Sequence, residues 1–192
     1  YLHRSDVTFD FSAENRMTVH SNVAEPWRVT LVDTGLDAQT GARIKRVQKY
    51  IGDEPFMLTY GDGVSDVDLN ALLAQHRASG KTVTLTGIQP GGRFGVLDLD
   101  EAGATVTGFR EKAREDGGWI NGGFMVMEPE VFEYLSVEEC CVLERTPLET
   151  LAREGKLGIY KHPGFWQCMD TQRDRNRLEA MWRSGAAAWK SW

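Results

Sequence analysis

The motif Tyr60-Gly61-Asp62-Gly63 places one carboxylate, that of Asp62, directly after the apolar run Phe56-Met57-Leu58. An apolar run that ends in Gly-Asp-Gly is typical of a buried strand that presents a side chain at the edge of an open sheet, where such sheets bind ligands. A carboxylate between two glycines suits a divalent metal that holds phosphates, because the glycines let a bulky anion approach. The alternative is a turn in which Asp62 bonds its own backbone.

A second carboxylate, that of Asp170, lies between residues 164–169 and a C-terminal helical pattern. An aspartate before a helix is a good N-cap, and for Asp170 taken alone this interpretation is favoured. Mg²⁺ typically uses one or two carboxylates together with substrate phosphates and water. If Asp62 and Asp170 converge in the fold, the sequence predicts a magnesium site that they share.

Two further segments could extend such a site toward a sugar phosphate. Lys112 could neutralise a phosphate while Glu111 bonds sugar hydroxyls, although a solvated charge pair is the usual explanation for an adjacent Glu and Lys. The two glycines after Asn121 would let a ligand approach the backbone closely, and a tight turn explains them equally well.

The segment Thr40-Gly41-Ala42-Arg43 opens a predicted helix. Backbone N–H groups at such a helix start can hold a phosphate, with Arg43 adding charge. A capped helix with a basic, solvent-facing side is the alternative. In Arg93-Phe94-Gly95, Gly95 could let a sugar pack against the backbone, and the start of a hairpin is equally consistent with the motif.

The apolar patterns that must position these residues predict a mixed α/β fold with a doubly wound sheet and an added antiparallel piece. The predicted strands cover residues 7–11, 17–20, 27–32, 55–60, 82–86, 94–99, 105–109, 123–127 and 157–161. The predicted helices begin near residues 40, 66, 129, 146 and 170. We expect Asp66 to cap the second helix, and Thr146 and Glu149 to form a capping box at the fourth.

Length, charge and cysteine content limit the class of protein. The 192 residues suffice for one α/β domain, and we expect a single domain over residues 1–192. The net charge of −6 argues against a nucleic-acid partner, and no apolar stretch is long enough to predict a membrane partner. Three cysteines, Cys140, Cys141 and Cys168, fit neither a disulfide framework nor a zinc site, which predicts a reducing, cytoplasmic location.

Several segments, in the order in which they occur here, resemble the glucose-1-phosphate cytidylyltransferases, a family of the sugar nucleotidyltransferase superfamily. The matching segments are Glu25-Pro26-Trp27, 29–35, Thr40-Gly41-Ala42-Arg43, Tyr60-Gly61-Asp62-Gly63-Val64, Arg93-Phe94-Gly95, Glu111-Lys112, Ile120-Asn121-Gly122-Gly123-Phe124 and 162–171. The resemblance spans essentially the whole chain, and the order of the segments is more specific than any one of them.

The resemblance implies that CTP and α-D-glucose 1-phosphate react to give CDP-glucose and pyrophosphate, for dideoxysugar formation in surface polysaccharides such as O antigen. It implies catalytic roles for Asp62, Lys112 and Asp170, with Mg²⁺ held by the two aspartates and the sugar phosphate contacted by the lysine. The substrate-binding residues that it implies are Gly41, Arg43, Gly61, Gly95, Glu111 and Asn121. It also implies a homo-oligomer for the full-length protein.

The implied fold is a Rossmann-like mixed sheet flanked by helices, of the nucleotide-diphospho-sugar transferase type, that lacks the first strand–loop–helix unit. Because the Gly-rich phosphate loop of that unit is absent, we expect a fragment of a larger catalytic domain that binds CTP weakly and turns over poorly or not at all. Two smaller departures are Ala42, where the family usually has glycine, and Ala113, where it usually has proline.

Two other functions fit the same residues. One is a related sugar-1-phosphate nucleotidyltransferase that uses UTP or dTTP, since much of the base-recognition surface lies in the missing unit. The other is a non-catalytic module that binds a sugar nucleotide or serves oligomerisation. Pyrophosphate release from CTP and glucose 1-phosphate distinguishes the enzyme from the module.

Overall fold

The computed structural model describes the backbone of most of the chain. The described residues are 6–12, 14, 16–21, 27–89, 95–99, 106–111 and 118–190, with backbone only for 21, 95–99 and 106–111. The chain divides into two compact units, residues 1–33 and residues 34–192. Every helix in the described residues is too short or too polar to span a bilayer.

The first unit contains an antiparallel ribbon of β1 (Asp6–Asp10) and β2 (Arg16–Ser21), as the sequence predicted. Phe9 pairs with Met17 on one face of the ribbon, and Thr8 pairs with Thr18 on the other. Since side chains alternate between the faces of a strand, the ribbon has one apolar and one polar face.

The strand predicted at residues 27–32 is wrong. These residues form no strand, and Trp27, Val29 and Leu31 are exposed. A strand needs a neighbour to accept and donate its backbone hydrogen bonds, and none of the described residues pairs with this segment. The alternation of apolar residues alone therefore did not establish a strand here.

The second unit is a mixed α/β structure. Its elements are α1 (Thr40–Ile51), β3 (Phe56–Leu58), β4 (Gly63–Ser65), α2 (Leu69–Ser79), β5 (Val83–Ile88), β6 (Gly95–Leu99), β7 (Val106–Glu111), β8 (Ile120–Met127), a 3₁₀ helix (Pro129–Glu133), α3 (Thr146–Arg153), β9 (Leu157–Lys161), β10 (Trp166–Cys168) and α4 (Gln172–Arg183). The four-stranded sheet has the order β3-β8-β5-β9, in which β8 is antiparallel to its neighbours and β5 is parallel to β9. This confirms the predicted mixed sheet.

Helices cover both faces of this sheet. Val83 belongs to a buried core that also contains Ile44 of α1 and Leu151 of α3. The next residue, Thr84, points to the opposite face, where its hydroxyl lies 2.8 Å from Nδ1 of the buried His76 on α2. The alternation of β5 therefore fixes which helix packs on which face.

Most predicted boundaries lie within a few residues of the observed ones. Helix α1 ends at Gly52, whose φ of 80° suits glycine, as the sequence predicted. Strand β3 is shorter than predicted, and Met57 is 47% exposed, because β3 pairs with β8 on one side only among the described residues. The hairpin predicted around residue 100 is confirmed by the antiparallel pairing of β6 with β7.

Three predicted caps are wrong. Helix α2 is capped by Asp68, which accepts from two backbone N–H groups, because Asp66 is engaged with residue Phe165 instead. Helix α3 has no side-chain cap at its start, so the capping box of Thr146 is absent. Helix α4 is capped by Thr171 in a capping box with Asp174, which leaves Asp170 outside the helix and free for another role.

Candidate active site

Asp62 and Asp170 lie at the same end of a two-stranded ladder. Strand β4 pairs antiparallel with β10, with Gly63 opposite Cys168, and the N–H of Met169 donates to the carbonyl of Asp62 at 2.8 Å. Because Asp62 directly precedes β4 and Asp170 closely follows β10, the register brings residues 108 positions apart in sequence to one place.

The far end of this ladder is fixed by a buried histidine. Nε2 of His162 lies 2.9 Å from Oδ1 of Asp66, and the same oxygen accepts from the N–H of Phe165 at 2.7 Å. Ser65 Oγ lies 3.2 Å from the same nitrogen. A Ser-His-Asp proton relay needs both ring nitrogens, so this cluster anchors the ladder and does not form a catalytic triad.

Both aspartate side chains are exposed. Within the described residues, no hydrogen bond or ion pair reaches the Asp62 carboxylate, whereas Oδ2 of Asp170 accepts from the thiol of Cys168 at 3.2 Å. Partial burial, followed by this contact with Asp170, raises the pKa of the Cys168 thiol.

The donor set fits a magnesium ion better than a transition metal. The described residues contain no group of three or more His, Cys, Asp or Glu side chains arranged to hold a metal. Mg²⁺ needs fewer protein ligands, because water and substrate phosphates complete its octahedral shell. Two carboxylates are therefore a sufficient protein contribution, and Asp62 and Asp170 lie at the same end of the ladder.

An open cleft of about 370 Å³ lies beside Asp62. The turn before β4 forms one wall, and α4 with the segment after it forms another. The lining residues include Gly61, Asp62, Arg175, Leu178, Trp182 and Trp189. Gly61 and Asp62 thus border a space large enough for a substrate group.

Asn121 lies at a bulge in β8. Leu85 pairs with Met125, but Gly87 pairs with Asn121, so β8 contains two more residues than β5 between these pairs. Bulges of this kind redirect side chains and are common beside active sites. Trp166 Nε1 donates to the carbonyl of Gly122 at 2.8 Å, which ties the bulge to β10.

Tyr60 connects the bulge to the rest of the site. Its hydroxyl donates to Oε1 of Glu144 and accepts from Nδ2 of Asn121 at 3.2 Å. Burial, then the hydrogen bond to Glu144, raises the pKa of Tyr60. Its ring packs on Gly123, where a Cβ atom would lie 2.7 Å from the ring and where φ is 85°. Glycine is therefore required at this position.

The structure gives Gly41 and Arg43 structural roles. A Cβ atom on Gly41 would lie 2.7 Å from the sulfur of Cys141, and the N–H of Ala42 donates to the carbonyl of Cys141. The guanidinium of Arg43 donates to the hydroxyl of Thr34 at 2.8 Å. These contacts explain both residues without a ligand, and their contact with a nucleotide stays a prediction.

The remaining predicted site residues are described only in part. Lys112 lies outside the described residues, as do Arg93 and Phe94. Gly95 begins β6 directly opposite Glu111, the last residue of β7, but the Glu111 side chain is not described. The roles of these residues stay predictions.

Sequence reasoning missed two groups that the structure brings to the site, the side chains of Tyr60 and Glu144. Glu144 accepts from the hydroxyls of Tyr60 and Thr40, at 2.7 Å in the latter case. Nothing in the sequence around Glu144 marks it, because it follows a buried loop residue and belongs to no motif. Tyr60 is the first residue of the Tyr60-Gly61-Asp62-Gly63 motif. A tyrosine next to a predicted site residue, with a hydroxyl that needs a hydrogen-bond partner when buried, was the only indication of its role in the sequence.

Comparison with known families gives the class of protein. Residues 10–153 match the family model described as nucleotidyl transferase, so the chain belongs to that family. HddC from Yersinia pseudotuberculosis is similar in structure, with a TM-score of 0.55 and 20% identity over 75% of this chain and 62% of that chain. At this identity the likeness shows the fold alone, and it confirms the predicted fold class.

Within that family, particular relatives are much more similar. Glucose-1-phosphate cytidylyltransferase from Salmonella typhi is 52% identical over 193 residues, which cover 100% of this chain and 74% of that protein. The protein of the same name from Salmonella typhimurium is also 52% identical, with the same coverage. The predicted resemblance is thereby confirmed.

Proposed function

We propose that this chain transfers a cytidylyl group from CTP to α-D-glucose 1-phosphate, giving CDP-glucose and pyrophosphate. The observation that carries the proposal is the meeting of Asp62 and Asp170 at one end of the β4–β10 ladder, in a chain 52% identical to relatives named for this reaction. Neither the position of the aspartates nor the similarity to these relatives suffices alone. Pairs of exposed aspartates are common, and a relative's name says nothing about geometry.

The proposed reaction has no covalent enzyme intermediate. An oxygen of the sugar phosphate attacks the α-phosphorus of CTP in line, and pyrophosphate leaves from the opposite side. The protein then contributes alignment of the two substrates and stabilisation of developing charge. This demand suits a site made of carboxylates, an amide and backbone, without a nucleophilic side chain.

Each residue has a distinct proposed role. Asp62 and Asp170 hold Mg²⁺, which when bound offsets the negative charge of the phosphates. Lys112 neutralises the sugar phosphate, while Glu111 and Asn121 bond sugar hydroxyls. Gly61 and Gly95 let substrate approach the backbone, and Gly41 and Arg43 contact the nucleotide. Of these residues, the paired aspartates and Asn121 have the strongest geometric support.

Three further proposals concern the setting of the reaction. CDP-glucose supplies dideoxysugar formation for surface polysaccharides such as O antigen. The protein works in the cytoplasm, in keeping with three free thiols. The full-length protein assembles as a homo-oligomer.

The test measures nucleotide-sugar formation by the protein with Mg²⁺, glucose 1-phosphate and each of CTP, UTP and dTTP. Chromatography of the products identifies the nucleotide sugar, and pyrophosphate release gives the rate. The proposal predicts CDP-glucose as the main product. A preference for UTP or dTTP would show that the protein is the related sugar-1-phosphate nucleotidyltransferase. Saturable CDP-glucose binding without turnover would show that it is the non-catalytic binding module.

A further inference from the structure

The hydrogen-bond network around Asn121 has a defined direction. The N–H of Gly123 can only donate, and it lies 2.9 Å from Oδ1 of Asn121. The amide nitrogen Nδ2 must then face the hydroxyl of Tyr60, which accepts from it at 3.2 Å. Because that hydroxyl accepts from Asn121, its own proton points to Oε1 of Glu144. Each proton position follows from the preceding one.

Glu144 is itself held in place. Its second oxygen, Oε2, accepts from the hydroxyl of Thr40 at 2.7 Å, and Thr40 Oγ1 accepts from the N–H of Leu143 at 3.0 Å. A carboxylate that accepts from two hydroxyls has little rotational freedom, and a charged acceptor makes the bond from Tyr60 stronger than a neutral one would. Both carboxylate oxygens of Glu144 are therefore engaged by neighbouring hydroxyls.

The network leaves Asn121 with unused capacity. A side-chain amide has two N–H donors and two oxygen lone pairs, of which one each is occupied here. Asn121 is partly exposed, so one donor and one acceptor remain in a fixed orientation. One donor and one acceptor of a side-chain amide can together bind a vicinal pair of sugar hydroxyls.

We propose that Tyr60 and Glu144 are positioning residues that fix the amide orientation of Asn121 for the sugar of glucose 1-phosphate. This inference rests on the proposed function. Without the Tyr60 hydroxyl, the amide retains only its bond to Gly123 and rotates more freely. The loss then falls on sugar binding more than on CTP binding, because the hydroxyl of Tyr60 bonds Glu144 and Asn121 and makes no hydrogen bond to the carboxylate of Asp62 or Asp170.

The kinetic test uses Tyr60→Phe, which keeps the ring on Gly123 and removes only the hydroxyl. We expect the KM for glucose 1-phosphate to rise roughly five- to tenfold, the value of one lost hydrogen bond, with the KM for CTP changed less than about twofold. The matched control is Tyr134→Phe, since that hydroxyl also donates to a glutamate, Glu154, at 2.6 Å. The control should change neither KM.

A double-mutant cycle shows whether Tyr60 acts through Asn121. If it does, Tyr60→Phe should add less than about a twofold change to an Asn121→Ala variant, because the group that it positions is already gone. Multiplicative effects would overturn the proposal. If Tyr60→Phe fails to fold, Glu144→Gln replaces it, with a smaller rise in the same KM because the amide oxygen still accepts from Tyr60.

A measurement without turnover separates this inference from the proposed function. In ¹⁵N-labelled protein the Asn121 side-chain amide should give two sharp, well-separated proton signals, which broaden or converge in Tyr60→Phe. An unchanged pair would overturn the positioning role whatever the activity. A change in these signals in a protein that makes no CDP-glucose would support the positioning and overturn only the proposed reaction.

Discussion

The β4–β10 end and the Asn121 bulge are adjacent parts of one site with opposite internal chemistry. At the β4–β10 end, the carboxylates of Asp62 and Asp170 are exposed and have few protein partners among the described residues. At the bulge, the amide of Asn121 is bonded through both of its polar atoms. The first region contributes charge, and the second contributes orientation.

This difference predicts different responses to substitution. A charge that few protein groups contact can be removed with little effect on folding, so its loss appears in activity. A bonded, closely packed group contributes to stability, so its loss appears in the free energy of unfolding as well as in substrate binding.

The largest expected effect follows removal of either aspartate charge. Asp62→Asn and Asp170→Asn should each lower the rate of CDP-glucose formation by about 100-fold or more, because a charge that stabilises bound phosphates is lost. The free energy of unfolding should change by less than about 0.5 kcal/mol, since both side chains are exposed. Initial rates and calorimetry on the same samples give the two numbers.

The control for these variants is Asp53→Asn, another exposed aspartate, which lies in the loop between α1 and β3. It should retain wild-type rates. Full activity in either Asp62→Asn or Asp170→Asn would contradict the claim that the β4–β10 end contributes charge to the reaction.

The next largest effect is expected in the bonded region. Gly123→Ala should destabilise the protein by about 3 kcal/mol, since alanine at positive φ is strained and its Cβ would clash with the Tyr60 ring. Gly52→Ala is the matched control, because Gly52 also has positive φ but no atom within 4 Å of a Cβ. Measured by urea unfolding, Gly52→Ala should lower the free energy of unfolding by about 1 kcal/mol. Equal losses would mean that the Tyr60 contact does not matter.

A smaller effect tests how the two aspartates are held together. Asp66→Ala removes the acceptor of Phe165 N–H and the partner of His162, and should cost about 2 kcal/mol. It should also lower CDP-glucose formation, since the β4–β10 register loosens. Asp68→Ala, which removes only the α2 cap, should cost about 1 kcal/mol and leave the rate unchanged. A reversed pattern of rates would contradict the anchoring role.

The smallest expected effect is a change in pH dependence. The pKa of Tyr60 is raised in the folded protein by burial and by Glu144. Tyrosine in the unfolded chain ionises near pH 10, so the stabilisation is fully present below about pH 10 and is lost as pH rises further. Chemical unfolding between about pH 9 and 11 should therefore show a shallower loss of stability in Tyr60→Phe than in wild type. Identical slopes would contradict this.

The sequence predicted the elements well where local patterns coincide with packing. Helix α1 has apolar residues at helical spacing and a glycine at its end, and β5 is β-branched and buried, so propensity and burial agree. Residues 27–32 alternate equally well but have no pairing partner among the described residues. A strand is defined by its neighbour, and that information is not local.

The candidate site also depends on contacts that are not local in sequence. Asp62 and Asp170 were identified by motif and resemblance, but their proximity depends on the antiparallel register of β4 and β10, which only the fold supplies. Glu144 lies 84 residues from Tyr60 in sequence and reaches it through tertiary packing. Caps failed for a related reason, because Asp66 had a distant partner in His162 that outweighed its local preference for a helix start.

The most direct test of the account is metal binding by the two aspartates together. Mn²⁺, which can replace Mg²⁺ at oxygen sites, is titrated into the protein without nucleotide, because CTP itself binds Mn²⁺, and free Mn²⁺ is followed by electron paramagnetic resonance. The account predicts one bound Mn²⁺ per chain, with affinity lowered about tenfold or more in each of Asp62→Asn and Asp170→Asn and no further loss in the double variant. Wild-type Mn²⁺ affinity in the double variant would contradict the shared site.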